Sequence, residues 1–306
     1  MKTEGTYTSK LHAHVRYFLY EPKIVIRVKA IVILCHDFGE DAQTYDHFAS
    51  YLLNLGFVVV TSDMIGHGVS LLDFEQGYFG EGKVTDLVVE DLHHLQLIVS
   101  DLYTDIPIFM CGIGIGGLLV RKYASVYGDH IEGMILMSSP IQFDHIDFVE
   151  ARMAVASLMK GPLYHPRRMM KRIRKHWSSG MEGNEYAFMT HDEALQKFMK
   201  QDTLTYFTCT IKGYQDIFSL LREVNTKQVL DAAPERLGVY ILGGDEDPII
   251  HKGTDVTTLA RMYENARLND VKYKIYTQRR HSLLQDTDRL EVYKDIVNWL
   301  AERTYL

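Results

Sequence analysis

Short apolar runs, separated by polar stretches punctuated with glycine, set the rhythm of this chain. Residues 30–35 (Ala-Ile-Val-Ile-Leu-Cys), 57–61, 107–111, 131–137, 237–242 and 271–276 have strand length. The continuous runs among them suit strands buried on both faces of a sheet. Between them, apolar positions recur at helical spacing. Residues 45–55 form one such pattern, which stops at Gly56. Within 83–102, Val84, Leu87, Val88, Leu92, Leu95, Ile98 and Val99 fall on one helical face. Residues 118–127, 256–266 and 289–303 also read as helices. Near the N-terminus, 7–10 and 12–19 alternate polar with apolar, the mark of an antiparallel strand pair.

Strands alternating with helices predict an α/β fold with a doubly wound, mostly parallel sheet and helices on both faces. The alternation breaks between about Pro140 and Tyr214. That stretch lacks strand patterning, is rich in Met and Lys/Arg, and reads as several short helices. The expected organisation is a core over 1–139, a helical cap insertion over 140–214, and the rest of the core over 215–306. The chain shows no internal repeat and no low-complexity tract.

Composition narrows the function. With 306 residues, 46% hydrophobic and 24% charged, the chain can bury a large core. A formal charge of -7 gives no reason to expect nucleic acid. Residues 1–10 are polar, without the apolar centre of a signal peptide, and no later stretch reaches the ~18 apolar residues of a membrane span. Cys35, Cys111 and Cys209 form a sparse, odd-numbered set, for which a reduced cytoplasmic location is the simplest expectation. No Cys/His spacing suits a metal, and no cofactor is expected.

The chemistry centres on Gly112-Ile113-Gly114-Ile115-Gly116-Gly117, which joins a predicted strand to a predicted helix. A serine hydrolase carries Gly-x-Ser-x-Gly here, in a strained turn that lifts the nucleophile above the sheet. Position 114 is glycine and carries no nucleophile. The hexapeptide also matches the dinucleotide pattern Gly-x-Gly-x-x-Gly. It follows the third parallel strand rather than the first, however, and the next strand ends in Ser138-Ser139 with no acid for a ribose. Downstream, Gly244-Asp245-Glu246-Asp247 follows a strand and His281 follows another. An acid and then a histidine after the elbow is the chain order of α/β-hydrolases, in which the acid orients the imidazole. The Phe38 and Ile115 N–H groups are the candidates for an oxyanion hole. Cys111, Ser138 and Ser139 are weak substitute nucleophiles. His251 is a weaker alternative to His281, and Asp63 with His67 is expected to hold a turn.

Together these residues resemble the α/β-hydrolase superfamily, in particular its monoacylglycerol lipase and lysophospholipase-like (serine aminopeptidase-like) branch. The branch's His-Gly-x-Gly-Glu corresponds to His36-Asp37-Phe38-Gly39-Glu40. Its Asp-x-x-Gly-His-Gly-x-Ser corresponds to Asp63-Met64-Ile65-Gly66-His67-Gly68-Val69-Ser70, and its Gly-His-Ser-x-Gly-Gly to the hexapeptide at 112–117. The resemblance implies an eight-stranded sheet, a helical cap before the seventh strand and an acyl pocket between cap and core. It implies Asp247 and His281 as the catalytic couple, Gly114 at the vacant nucleophile position, and an acyl ester as small-molecule or lipid-like ligand. Three departures fall at the site: Gly114 for Ser, Ile113 for His, and Asp37 for Gly. A carboxylate at 37 would repel charge developing in an oxyanion hole.

Two functions follow as expectations. One is an ester hydrolase of lysophospholipase type, impaired or working through water activated by His281. The other is a non-catalytic relative that binds a lipid-like or small hydrophobic ligand. In the expected cap, Arg167, Arg168, Lys171, Arg172, Arg174 and Lys175 alternate with Met169, Met170, Ile173 and Trp177. This amphipathic pattern suits peripheral contact with an anionic membrane, or simply a solvated basic face. Met153, Met159, Met169, Met170 and Met181 are candidate linings of a lipid pocket.

Overall fold

A computed structural model of the chain describes residues 1–23, 27–73 and 75–304. Strands β1 (Lys2–Thr8) and β2 (His14–Tyr20) precede β3 (Ile31–Cys35), helix α1 (Asp46–Asn54) and β4 (Val58–Ser62). Then come α2 (Thr85–Leu102), β5 (Ile108–Ile113), α3 (Ile115–Tyr127) and β6 (Gly133–Met137). Five helices separate β6 from the next strand: α4 (Ile146–Lys160), α5 (Arg167–Trp177), α6 (Glu193–Gln201), α7 (Ile211–Val224) and α8 (Lys227–Asp231). The chain closes with β7 (Gly238–Gly244), α9 (Thr254–Asn265), β8 (Val271–Tyr276) and α10 (Leu290–Ala301).

The strands form one eight-stranded sheet in the order β1-β2-β4-β3-β5-β6-β7-β8. β2 pairs antiparallel with β1 and with β4, and every later pairing is parallel. Strand periodicity explains the two layers of core. Ile31, Ile33, Val58, Val60, Met110 and Leu136 face α2, α3, α7 and α9. Their neighbours Val32, Leu34, Val59, Phe109, Ile135 and Met137 face α1 and α10. A strand sandwiched this way needs apolar residues at every position, which is why these runs are continuous rather than alternating.

Two elements depart from the expectations. β1 begins at Lys2 rather than near residue 7; only Tyr7 of its seven residues is buried, so hydrophobicity leaves almost no trace of it. The chain then turns at Ser9, whose hydroxyl accepts the Leu11 and Ala13 N–H groups. α7 runs straight across position 214, where the expected insertion ended. Nine of its fourteen residues are buried, and Thr210 caps its start by accepting the Gly213 N–H. Among the described residues, no helix is long and apolar enough to cross a membrane.

Candidate active site

The turn from β5 into α3 places Gly114 at φ 51° and ψ -114°, with its N–H donating to Met137 O at 2.9 Å. A residue with a side chain is strained in this region, by about 1–3 kcal/mol, whereas glycine is not. Crowding fixes the surrounding glycines. A Cβ on Gly116 would lie 2.2 Å from Cys35 O, and one on Gly112 would lie 2.5 Å from Gly116 O. The Gly-rich backbone is thus packed against β3.

His281 lies in the loop after β8 and Asp247 in the loop after β7. Both are buried, and His281 Nδ1 stands 2.7 Å from Asp247 Oδ2. The loops are anchored: His281 N–H donates to Phe188 O, Ser138 Oγ–H donates to His281 O, and Asp247 Oδ1 accepts the Ile249 N–H. The structure therefore brings Asp247, His281 and the elbow together in the expected order.

The other side of the imidazole holds the main finding. Asp37, after β3, reaches into the space above Gly114. Its Oδ2 stands 2.9 Å from His281 Nε2, and its Oδ1 accepts the Ile115 N–H at 2.8 Å. A Cβ built on Gly114 would lie 2.0 Å from that Oδ1. A side chain at 114 and the Asp37 carboxylate in this pose exclude one another. The two departures noticed separately in the sequence are thus one steric exchange. Of the two candidate oxyanion N–H groups, Ile115 is taken by Asp37. Phe38 turns its ring toward Tyr214, 5.3 Å between centroids, and toward His67.

The Asp37 loop is rigidly tied. His36 Nδ1–H donates to Asp37 O at 2.7 Å, and His36 Nε2 accepts the Met64 N–H. Asp37 N–H donates to Glu40 Oε2 at 3.0 Å, and the Tyr45 hydroxyl also donates to Glu40. Burial, then the nearby Asp37 charge, pushes the Glu40 carboxyl up to about 8.

Charge follows from this geometry. Carboxylates only accept hydrogen bonds, so a ring flanked by two of them donates from both nitrogens. Burial works against the charged ring, yet Asp247 and Asp37 together hold its pKa well above the ordinary imidazole value. With a carboxylate oxygen at each ring nitrogen, Nε2, the atom that would take a proton from a nucleophile or water, already donates one to Asp37.

The remaining candidates fall elsewhere. Cys111 is buried in the core between sheet and α10. Ser138 is engaged with the His281 carbonyl, and Ser139 lies against Gly117. His251 pairs with Asp255 at 2.9 Å and Asp144 at 3.2 Å instead of facing the elbow. Asp63 holds its turn by accepting the Ala42 and Val69 N–H groups and the Arg16 guanidinium. His67 holds the same turn, its N–H donating to Met64 O, its carbonyl accepting the Ser70 N–H and its Nδ1 standing 3.3 Å from Ile65 O, while its ring stacks on Phe79. Among the described residues, no group of three or more His, Cys, Asp or Glu is arranged to hold a metal.

A cavity of about 900 Å³ opens above Gly114 and Asp37, between the sheet and helices α4, α5 and α7. Met169 and Met170 line it as expected. Met153 is buried in the main core instead, Met159 points to solvent at 78% exposure, and Met181 packs on a separate cluster around Tyr186 and Phe188. α5 is amphipathic as its spacing indicates, with Arg167, Arg168, Lys171, Arg172 and Lys175 exposed. Arg174, expected on that basic face, is instead half-buried and lines the cavity. Its position could have revealed this, because 170, 173, 174 and 177 form the inward stripe.

Comparison with known proteins places these features. Residues 26–288 match the family described as serine aminopeptidase, S33. A monoglyceride lipase homolog of monkeypox virus is 25% identical over 284 residues, covering 90% of each chain. Mouse monoglyceride lipase is 33% identical over 110 residues, 36% of this chain and 35% of that one. The solved structure of a thermostable carboxyl esterase from Bacillus coagulans superposes with a TM-score of 0.88 at 22% identity, covering 99% of both chains.

Proposed function

This chain belongs to the serine aminopeptidase S33 family of α/β-hydrolases, and from that premise we propose a non-catalytic relative that binds a lipid-like or small hydrophobic acyl ligand beneath a cap at 140–214. One observation carries the proposal: the Asp37 carboxylate holds the Ile115 N–H and His281 Nε2 at once, over a residue without a side chain. Ester hydrolysis of the family type needs an attacking hydroxyl, a neutral imidazole and a free oxyanion donor. Here Gly114 lacks the first, the flanking carboxylates remove the second, and Asp37 occupies the third. Loss of the nucleophile alone costs about 10⁶-fold in comparable triads. Asp247 and His281 are then the remnant of the catalytic couple, kept because His281, oriented by Asp247, binds Asp37. The cavity of about 900 Å³ supports retention of a ligand.

Two further features bear on where the protein works. α5 carries an exposed basic face, and α4 exposes Phe148, Val155, Leu158 and Met159. That combination supports peripheral contact with an anionic membrane. The free, buried cysteines Cys35, Cys111 and Cys209 support a cytoplasmic setting.

A second reading, weak hydrolysis by water activated at His281, is favoured by the 2.7 Å His281–Asp247 contact and requires Asp37 to swing away. The test is turnover of short aryl esters and a monoacylglycerol by the wild type, Gly114→Ser, and Asp37→Gly/Gly114→Ser. The proposal expects no turnover from the first two and measurable turnover from the pair. Wild-type turnover abolished by His281→Ala would replace it with the water-activation reading.

A further inference from the structure

Resting on the ligand-binding reading, we propose that the cavity takes a single-chain amphiphile with an anionic headgroup, a carboxylate or phosphate monoester, held by Arg174 and Tyr214.

The cavity wall is apolar, with Phe143, Met169, Met170, Ile173 and Ile217 among its lining residues, as an alkyl chain requires. Its charges are unevenly matched. The lining carboxylates are already committed: Asp37 to His281, and Asp144 to His251. The lining cations Arg152, Lys160, Arg168, Arg172 and Arg174 outnumber them. Most of these reach solvent, where a positive charge costs little. Arg174 is the exception. Its Nε is buried without a hydrogen-bond partner, and its guanidinium lies 5.2 Å above the Tyr186 ring. It takes part in no ion pair among the described residues.

Tyr214 supplies the second half of the site. It lines the same cavity, is 4% exposed, and its hydroxyl proton has no acceptor, since the neighbouring Cys209 N–H can only donate. The guanidinium is close enough to act electrostatically on this hydroxyl. Buried donors without acceptors are rare, because burial strips their water and nothing replaces it. Two residues of one cavity wall thus carry unpaired donors, and a guanidinium is satisfied best by an anionic ligand oxygen.

The surroundings of Gly114 are unsuited to a headgroup. The Ile115 N–H is occupied, and the Asp37 carboxylate would repel an anion. The headgroup is therefore directed to Arg174 and Tyr214, and the chain to the apolar wall.

The test is calorimetric titration with laurate, dodecyl phosphate, dodecanol and monododecanoylglycerol, each below its micellar concentration, near pH 7.5. The anions are expected to bind at least about ten-fold tighter than the neutral pair, the gain of a charge-assisted contact over a neutral one. The tighter of laurate and dodecyl phosphate identifies the headgroup. Arg174→Gln should abolish the preference and Tyr214→Phe should weaken both anions. Lys175→Gln, on the exposed face and outside the cavity lining, should change neither. Thermal unfolding checks that each variant is folded. Neutral ligands binding as tightly as anions, or a preference surviving Arg174→Gln, would overturn the proposal while leaving a hydrophobic ligand in place. Failure of all four to bind would remove the ligand-binding reading itself, and hydrolysis of the monododecanoylglycerol would remove the non-catalytic one.

Discussion

Replacing Asp37 with asparagine removes one negative charge from the edge of the His281 ring while keeping the side chain's shape. The amide oxygen can still accept the Ile115 N–H, and the amide nitrogen can donate to Nε2 of a neutral ring. What is lost is one of two charge-assisted contacts, Nε2 to Oδ2 at 2.9 Å; the contact to Asp247 at 2.7 Å remains. A hydrogen bond to a charged group is worth about 1.5–3 kcal/mol, which corresponds to a fall of roughly 1–2 units in the His281 pKa. The stability consequence has a definite sign. Because the folded-state pKa is raised above that of the unfolded chain, this ring favours the fold fully below the ordinary imidazole value, and that contribution is lost as pH rises through the folded value. The deficit of Asp37→Asn relative to wild type is therefore largest below the ordinary imidazole value and persists above it until the folded-state value is approached. It shrinks in alkali, where both rings are neutral. NMR titration of the His281 ring, with denaturant unfolding across the same pH range, checks both statements. A His281 pKa unmoved by the substitution would refute the argument that Asp37 holds the ring charged.

Other predictions follow from the same contacts. Glu40, pushed up to about 8 from an ordinary value of 4.5, keeps a proton in the folded state that the unfolded chain releases. Its contribution to stability is lost as pH rises from 4.5 through about 8, and unfolding titrations of Glu40→Gln should show a flatter slope there, by up to about 1.4 kcal/mol per pH unit. Arg121 is buried and donates to Pro140 O, Val224 O and Asn225 Oδ1, tying the end of β6 to α7. Arg121→Ala strands these acceptors and should cost about 3 kcal/mol or more in thermal or urea unfolding. Vesicle sedimentation should show binding to anionic but not zwitterionic membranes, weakened by salt and by charge removal at Arg167, Arg168, Lys171, Arg172 and Lys175, with about 1 kcal/mol at stake per basic residue near the surface. Equal binding to both vesicle types would contradict a basic docking face.

The sequence revealed the fold through β3, β4, β5 and β6, because strands covered on both faces must be apolar throughout. It concealed β1, an exposed edge strand held by backbone pairing to β2, and α7, whose pattern straddled the boundary drawn at 214. At the site, the order Gly114, Asp247, His281 was legible because each residue follows a strand. The Asp37 role was not legible in the same way. Its charge was visible, but its reach depends on the loop held by His36 and Glu40 and on the volume freed at 114. Neither departure, taken alone, announces that it fills the other. Arg174 was hidden for a simpler reason: it sits in a run of like charges, where composition outweighs its place in the inward stripe.

The exchange of side chains between positions 37 and 114 is tested most directly by intact-mass labelling with a serine-directed fluorophosphonate. The account predicts no adduct on the wild type and little on Gly114→Ser, whose new Cβ would meet Asp37 Oδ1 at 2.0 Å. It predicts one adduct, at position 114, on Asp37→Gly/Gly114→Ser. Stoichiometric labelling of the wild type, at Ser138, Ser139 or any other hydroxyl, would contradict it, as would full labelling of Gly114→Ser with Asp37 still in place.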